Sequence, residues 1–413
     1  MKNSEIVKIS FLGDIMCESP LLAAAANRAK GSSYDFSEVF RGMIDICSES
    51  DYVVGNLETP FAGRDAGYTR EMYSFNTPDS FAVAVKQMGL SLVLTANNHC
   101  CDRGIQGLKR TLDVLDDCGL AHVGTFATGS DNMPAVAEIK GIRIAVVSCT
   151  ASTNAGRTKI APDLSNVNLI DRQYVKSKNI GVVSRAKTYA VRHVIGEEAH
   201  IKLRALRGLP PKAASVDDAL DEERVESCLR SVCDQITWAK RHADVVFVCP
   251  HMGGQFNVRP GKFSEYVMRR LVDFGADAVV ASHPHVAQKA EIIEGVPCAY
   301  SIGNVSMSMS TPYVLRDNLP DYGVMMHFYI AGKKICRMTY SLIKMEEDDI
   351  GYVRVRPLSD VYHEASEIEK RVVKDEATRV ALRFCGTCPE NAVARELELS
   401  LPSAASNLRG AVE

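Results

Sequence analysis

No stretch of this 413-residue chain is apolar for long enough to span a membrane or to act as a secretory leader. Met1-Lys2-Asn3-Ser4-Glu5 runs straight into an apolar segment from Ile6 to Leu12. The expectation is therefore a cytoplasmic protein with no direct membrane insertion. An excess of one charge is also lacking. The 48 Lys and Arg stand against 51 Asp and Glu, a net charge of −3 at pH 7. Global attraction to nucleic acid or to an anionic bilayer is thereby excluded, and no nucleic-acid partner is expected. A disulfide framework is missing too. The 13 cysteines are odd in number and scattered through apparent core elements, a pattern that suits reduced thiols in a cytoplasm. The lone Cys385-Gly386-Thr387-Cys388 lacks the second pair that a structural zinc site needs. There is no internal repeat and no low-complexity tract.

What is present is ordinary globular composition, 46% hydrophobic and 24% charged, with length for a large core. One large catalytic domain with a smaller addition is expected. Short apolar runs end repeatedly in loops. Val7 to Leu12 stops at Gly13-Asp14, Asp51 to Val54 at Gly55-Asn56-Leu57-Glu58, and Leu92 to Leu94 at Ala96-Asn97-Asn98-His99. Ile142 to Ser148 is another strand. Asp244 to Val248 runs into His251, Asp277 to Val280 into His283-Pro284-His285, and Cys298 to Ile302 into Gly303-Asn304. Helical spacing lies between them, over about 36–48, 80–88, 104–118, 217–242 and 262–274. The alternation argues an α/β fold with mixed sheets.

Two regions leave this rhythm. From Thr150 to Ala214 the chain is locally basic, with Arg172, Lys176, Lys178, Arg185, Lys187, Arg192, Lys202, Arg204, Arg207 and Lys212. It reads either as a solvated insertion or as a lid that grips an anionic substrate. The tail from about Asp348 shows helical patterning over 364–384 and no cluster of reactive side chains.

Carboxylates, an amide oxygen and imidazoles at successive strand ends form the set that holds zinc, manganese or iron. Asp14 can ligate one metal, and Glu58 can bridge two or hold one. Asn98 offers an amide oxygen, and His251, His283 and His285 offer ring nitrogens. An extended backbone through His283-Pro284-His285 would send both rings to the same side. His99, left unligated, can donate a proton to a leaving group, with Asp102 orienting it and a metal-activated hydroxide as nucleophile. Taken singly, Asp14 reads as a turn or cap residue, Glu58 as a loop acid, Asn97-Asn98 as a turn and Asp102 as a helix N-cap. The joint occurrence at strand ends argues for a site. Cys100-Cys101 reads as a buried pair opening a helix.

Taken in order, Phe11-Leu12-Gly13-Asp14, Gly55-Asn56-Leu57-Glu58-Thr59-Pro60, Ala96-Asn97-Asn98-His99 with Asp102-Arg103-Gly104, His251-Met252-Gly253, Asp277 to Val280 with His283-Pro284-His285-Val286, and Tyr300-Ser301-Ile302-Gly303-Asn304 resemble the poly-gamma-glutamate capsule-synthesis (CapA) family. That family resembles the calcineurin-like metallophosphoesterase superfamily. The resemblance covers residues 7–310. It implies a four-layer α/β-β/α sandwich of the metallo-dependent phosphatase type over 1–345, with the basic insertion at 150–214 and a partly helical accessory segment at 346–413. It implies two divalent metals (Mn, Fe or Zn) on Asp14, Glu58, Asn98, His251, His283 and His285. His99 would be the acid, and Asn56 and Asn304 would line the site for substrate. The chain departs from the wider superfamily at Met16, where a His is usual. It departs from the capsule family at Met252, where Trp is usual, and at Ser282, where His is common.

The function expected is a metal-dependent hydrolase acting on an anionic substrate, either a poly-gamma-glutamate-like polymer or a phosphoester. The alternative is a non-catalytic or weakly catalytic component of a capsule-synthesis complex, with the metal fold used for binding.

Overall fold

The structure is a computed structural model that describes residues 6–29, 33–70, 72–128, 132–154, 166–171 and 217–402. The ten basic residues of the proposed insertion lie outside the described residues.

Two sheets form the framework. The first has nine strands and runs β14-β13-β12-β1-β2-β3-β4. These are β1 (Val7–Ile15), β2 (Tyr52–Leu57), β3 (Leu92–Leu94), β4 (Ala121–Val123), β12 (Tyr322–Ala331), β13 (Lys334–Glu347) and β14 (Val353–Pro357). Two short strands join it, β11 (Asn304–Ser306) on β1 and β15 (Leu397–Glu398) on β13. The second sheet has six strands in the order β5-β6-β7-β8-β10-β9. They are β5 (Ala135–Ile139), β6 (Ile142–Thr150), β7 (Val245–His251), β8 (Ala278–Val280), β9 (Ala290–Ile293) and β10 (Val296–Ala299).

Period-two alternation decides how the sheets stack. On β1, Val7, Ile9 and Phe11 enter the core shared by the two sheets. Phe247 on β7 and Phe328 on β12 meet Phe11 there, with ring centroids 4.8 and 5.6 Å away. Val246 and Val248, the alternate residues of β7, face outward. They pack against α5 (Glu222–His242) and α6 (Lys262–Asp273) through Val225, Leu229, Val267 and Leu271. On the far side of the first sheet, Leu12, Val53 and Val93 pack against α1 (Ser19–Arg28), α2 (Ile44–Ser48) and α3 (Ser80–Gln87). Three apolar cores thus separate helix, sheet, sheet and helix layers. Helix α4 (Gly104–Asp117) ends at Gly119, whose φ of +64° is the left-handed C-terminal turn that glycine favours.

After Glu347 the chain adds β14 and β15 to the first sheet. It also places α7 (Leu358–Glu364) and α8 (Glu367–Cys385). Val373, Ala377, Val380 and Phe384 of α8 close the core between the sheets. Helix α8 opens with a capping box between Ser366 and Glu369.

Several element boundaries differ from the sequence reading. The helix expected over 36–48 is a short 3₁₀ turn at Arg41–Met43 followed by α2. The helix expected from 217 starts at Glu222, because Asp217 is spent elsewhere: its carboxylate accepts from the backbone N–H groups of Gly261 and Ser264, at the start of α6. The strand expected over 298–302 is β10, which begins and ends earlier.

Candidate metal centre

The parallel strands β1, β2 and β3 of one sheet, and β7 and β8 of the other, end on the same side of the sandwich. This edge collects Asp14, Glu58, Asn98, His99, His251, His283 and His285. Asp14 is aimed by an irregularity in β1, where the register to β2 shifts between Leu12 and Asp14. Such a bulge re-directs a side chain. It depends on Gly13, since a Cβ there would lie 1.9 Å from the carbonyl oxygen of Gly303. The backbones approach so closely that Asp14 N–H donates to that same oxygen at 3.0 Å.

Two overlapping groups of donor atoms occur among the described residues. Glu58, His283 and His285 form one, and Asp14, Glu58 and His251 form the other, with the atoms of each group within 4.8 Å of one another. Glu58 is common to both and is fully buried. Neither of its carboxylate oxygens has a hydrogen-bond partner, and neither does Nε2 of the buried His285. Around His251 Nε2 stand Asn98 Oδ1 at 2.6 Å, His283 Nδ1 at 3.0 Å and Glu58 Oε1 at 3.5 Å. A ring nitrogen carries at most one hydrogen, so most of these lone pairs face one another with no donor between them. Buried lone pairs and an unpaired carboxylate are costly. A divalent cation removes both costs, so the donor set fits one.

The electrostatics favour the ligating form at Asp14 and at His283. Burial would raise the Asp14 carboxyl, but the His285 hydrogen bond and the charges of His251 and His285 win and hold it down at about 2. Burial would lower His285, yet the Glu58 and Asp14 carboxylates hold it up at about 9, so this ring carries a proton that a bound metal would have to displace. Desolvation, followed by the His251 and His285 rings, pushes His283 well below the ordinary imidazole range. His283 is therefore neutral, with a lone pair available to a metal.

A second ring of residues holds these groups. Asn56 donates from Nδ2 to Asp14 Oδ1 at 2.7 Å and takes the Nδ2 of Asn97 at 3.4 Å. Asn304 Oδ1 lies 2.9 Å from His285 Nδ1, while its Nδ2 donates to the carbonyls of His285 and Pro320. Both carboxamides are buried and committed to protein partners, behind Asp14 and behind His285. Asp102 takes His99 Nδ1 and the backbone N–H of Phe75 on one oxygen, each at 2.6 Å. His99 Nε2 then faces Glu58 Oε1 at 3.8 Å. Asp102 does not cap α4, whose N-cap position is Arg103, a residue whose side chain makes no capping bond.

The expected extended His283-Pro284-His285 is also corrected. His283 has φ +107° and His285 φ +58°, left-handed backbone at both histidines. Their rings still lie close, with centroids 5.7 Å apart. Backbone of this kind is costly and concentrates at functional sites. Met16 is buried in the outer core of the first sheet and offers no ring nitrogen. Cys100 and Cys101 are buried against Leu108 and Leu112. Cys385 is buried and Cys388 exposed.

Sequence reasoning passed over Glu18, Tyr313, Phe75 and Phe256. The Phe75 ring lies 4.1 Å from that of His99, and Phe256 lies 5.7 Å from His285. Glu18 occupies the N-cap of α1 without capping it. Its carboxylate instead accepts from the Tyr313 hydroxyl and from Ser308 N–H. A polar residue before Ser19-Pro20 looks like a cap in sequence, so no local signal marks it.

The fold and the edge cluster together define an α/β sandwich of the metallophosphoesterase type, with buried Asp, Glu and His groups able to hold a metal ion. Residues 8–308 match the sequence model of the family described as bacterial capsule synthesis protein PGA_cap, and the chain belongs to that family. It is 25% identical over 307 residues to the PGA biosynthesis protein CapA of Bacillus subtilis (strain 168), covering 73% of this chain and 63% of that one. It is also 25% identical over 334 residues to the capsule biosynthesis protein CapA of Bacillus anthracis, covering 77% and 66%. An uncharacterized protein, y4sH of Sinorhizobium fredii (strain NBRC 101917 / NGR234), is 25% identical over 293 residues, 67% and 62% of the two chains. The matches thus span slightly under two thirds of the relatives' own lengths.

Proposed function

We propose that this chain is a metal-dependent hydrolase acting on an anionic substrate, a poly-gamma-glutamate-like amide or a phosphoester, with His99 as general acid. The observation that carries the reading is the position of His99. It stands beside the donor cluster but in neither ligand group, with Nδ1 held by Asp102 and Nε2 turned toward Glu58. A site that only binds has no use for an oriented proton donor at its edge.

Asp14, Glu58, Asn98, His251, His283 and His285 would hold two divalent cations, with Glu58 shared. When bound, such cations lower the pKa of water to about 7 and offset charge on the substrate. Asp14, kept ionised, and His283, kept neutral, are in the protonation states that metal ligation needs. His99 presents Nε2–H to the departing oxygen or nitrogen, and Asp102 stabilises the ring as it changes charge. Phe75 covers one face of that ring and keeps water from it.

A second reading draws on the relatives' names, which refer to biosynthesis of PGA and of capsule. In it the chain serves a capsule-synthesis assembly as a binding component. His99→Ala discriminates. Hydrolysis of a gamma-glutamyl amide or a phosphoester falling by about 10²–10⁴-fold, with metal content retained, supports catalysis. Full activity in His99→Ala would remove it from the acid role.

A further inference from the structure

The two ring nitrogens of His251 have different surroundings. Nε2 faces the donor cluster, with Asn98 Oδ1 at 2.6 Å and Glu58 Oε1 at 3.5 Å. Nδ1 faces Ser282 Oγ at 3.0 Å, Asn56 Nδ2 at 3.2 Å and Asp14 Oδ1 at 3.7 Å. His251, Ser282, Asn56 and Asp14 are all buried. Ser282 is clamped alongside His251 by backbone bonds that prolong the β7–β8 pairing. Its N–H donates to Pro250 O at 3.1 Å, and its carbonyl accepts from Met252 N–H at 2.9 Å.

Asn56 cannot turn its amide to suit the imidazole. Its Nδ2 donates to Asp14 Oδ1 at 2.7 Å, and a carboxylate oxygen there accepts nitrogen and repels the amide oxygen. The group that Asn56 presents to His251 is therefore also an N–H, which donates and never accepts. It favours a lone pair on Nδ1 and the ring hydrogen on Nε2, where Nε2–H donates to Asn98 Oδ1. That tautomer withholds Nε2 from a metal. Ligation through Nε2 needs the hydrogen on Nδ1 and an acceptor for it. The Ser282 hydroxyl is that acceptor. Asp14 Oδ1 lies beyond hydrogen-bond distance and already takes the Asn56 N–H.

We propose that Ser282 is a positioning residue that lets His251 change tautomer for metal ligation. Its hydroxyl can donate or accept. It donates to Nδ1 in the metal-free chain and accepts from Nδ1–H when Nε2 ligates. One proton leaves Nε2 and one is taken up at Nδ1, so the ring stays neutral. Without the hydroxyl, Nδ1–H would meet the Asn56 N–H, two buried donors facing each other. The inference rests on the reading of His251 as a metal ligand through Nε2.

The test uses zinc, titrated into the chelator-treated 413-residue chain in competition with a chromophoric chelator. Ser282→Ala should bind zinc about 10–100-fold more weakly than wild type. Its metal-free form should unfold at the same urea concentration as wild type, because Asn56 still serves Nδ1. Ser282→Thr keeps a hydroxyl and should bring the zinc affinity back. The tautomer itself is read by nitrogen NMR of histidine-labelled wild type, with the His251 signals identified by their absence in His251→Gln. The hydrogen should sit on Nε2 without metal and on Nδ1 with zinc. That spectrum needs no change at Ser282, so it decides the matter even if Ser282→Ala fails to fold. Unchanged zinc affinity in Ser282→Ala, or an Nε2–H in zinc-loaded wild type, would overturn the inference and leave a metal centre standing. A matching loss of metal-free stability in Ser282→Ala would mark a merely structural residue and overturn it too. If wild type takes up no zinc, the metal reading falls, and the role of Ser282 falls with it.

Discussion

Replacing Asn304 with alanine should separate what holds the fold from what holds the metal. The Asn304 carboxamide donates to the carbonyls of His285 and Pro320, each at 2.9 Å, and to Met307 Sδ at 3.2 Å. Its oxygen sits 2.9 Å from His285 Nδ1. Truncation deprives two buried carbonyls of this donor. At about 1–3 kcal/mol for each unmet buried group, the fold should lose roughly 2–6 kcal/mol. The loss should appear in urea unfolding of chelator-treated protein. A second effect is independent of the first. Without Asn304 the His285 Nδ1 keeps only Asp14 Oδ2, at 3.3 Å, so the ring is held less firmly with Nε2 toward Glu58, and removing an outer partner of a ligating histidine lowers metal affinity by about 10–100-fold. A competition titration against a chromophoric chelator reads that value. Ser306→Ala is the control. The Ser306 hydroxyl donates to Met16 O at 2.8 Å and accepts from Met16 N–H at 3.1 Å, in the same strand but on no candidate ligand. It should cost stability and leave metal affinity unchanged. If Asn304→Ala also loses stability alone, Asn304 does not position His285 for a metal, and the reasoning fails.

Two further outcomes follow from the geometry. Gly13→Ala forces a Cβ to within 1.9 Å of the Gly303 carbonyl oxygen, so β1 and the turn before β11 must separate. The variant should lose about 3 kcal/mol or more and most of its metal capacity, read by unfolding and elemental analysis. A variant with normal stability and metal content would show that the close approach is dispensable. Glu18 gives a pH dependence. Burial lifts its carboxyl from 4.5 to about 7, against the lowering effects of Tyr313, Ser308 N–H and His285 and with a small rise from Glu347. Between those values the folded chain holds a proton that the unfolded chain has released. Stability therefore falls as pH rises through that window, by about 3 kcal/mol in all. Glu18→Gln lacks this slope, so wild type and variant should diverge in urea unfolding between pH 5 and 8, a range set by roughly the same two limits. Parallel curves would mean that Glu18 ionises as it does in water.

Much of the framework was legible because it depends on short-range periodicity. Alternating apolar residues in Val7 to Phe11 and Val245 to Cys249 name the strands and the faces they bury. Strand-end residues such as Asp14, Glu58 and His251 were visible as chemistry because nothing in a plain turn requires that combination. Other features were hidden. The backbone at His283 and His285 is left-handed, although His-Pro-His suggests an extended run. That conformation is imposed by tertiary contacts, including the bond from His283 N–H to Asp14 Oδ2 at 3.1 Å. Asp102 looked equally suited to capping α4 and to orienting His99, and only the positions of Phe75 and His99 separate the two roles.

By itself the sequence determined the α/β alternation, the order of the strand ends and the donor types available at each. Those are properties of neighbours along the chain, where pleat and helical turn set the spacing. The tertiary structure decided which donors share a point, and that Glu58 joins both groups. It also decided that Glu18 turns from the end of α1 to meet Tyr313, 295 residues away. Such contacts depend on two sheets packing through one core, and no local pattern of residues encodes the distance between atoms on different strands.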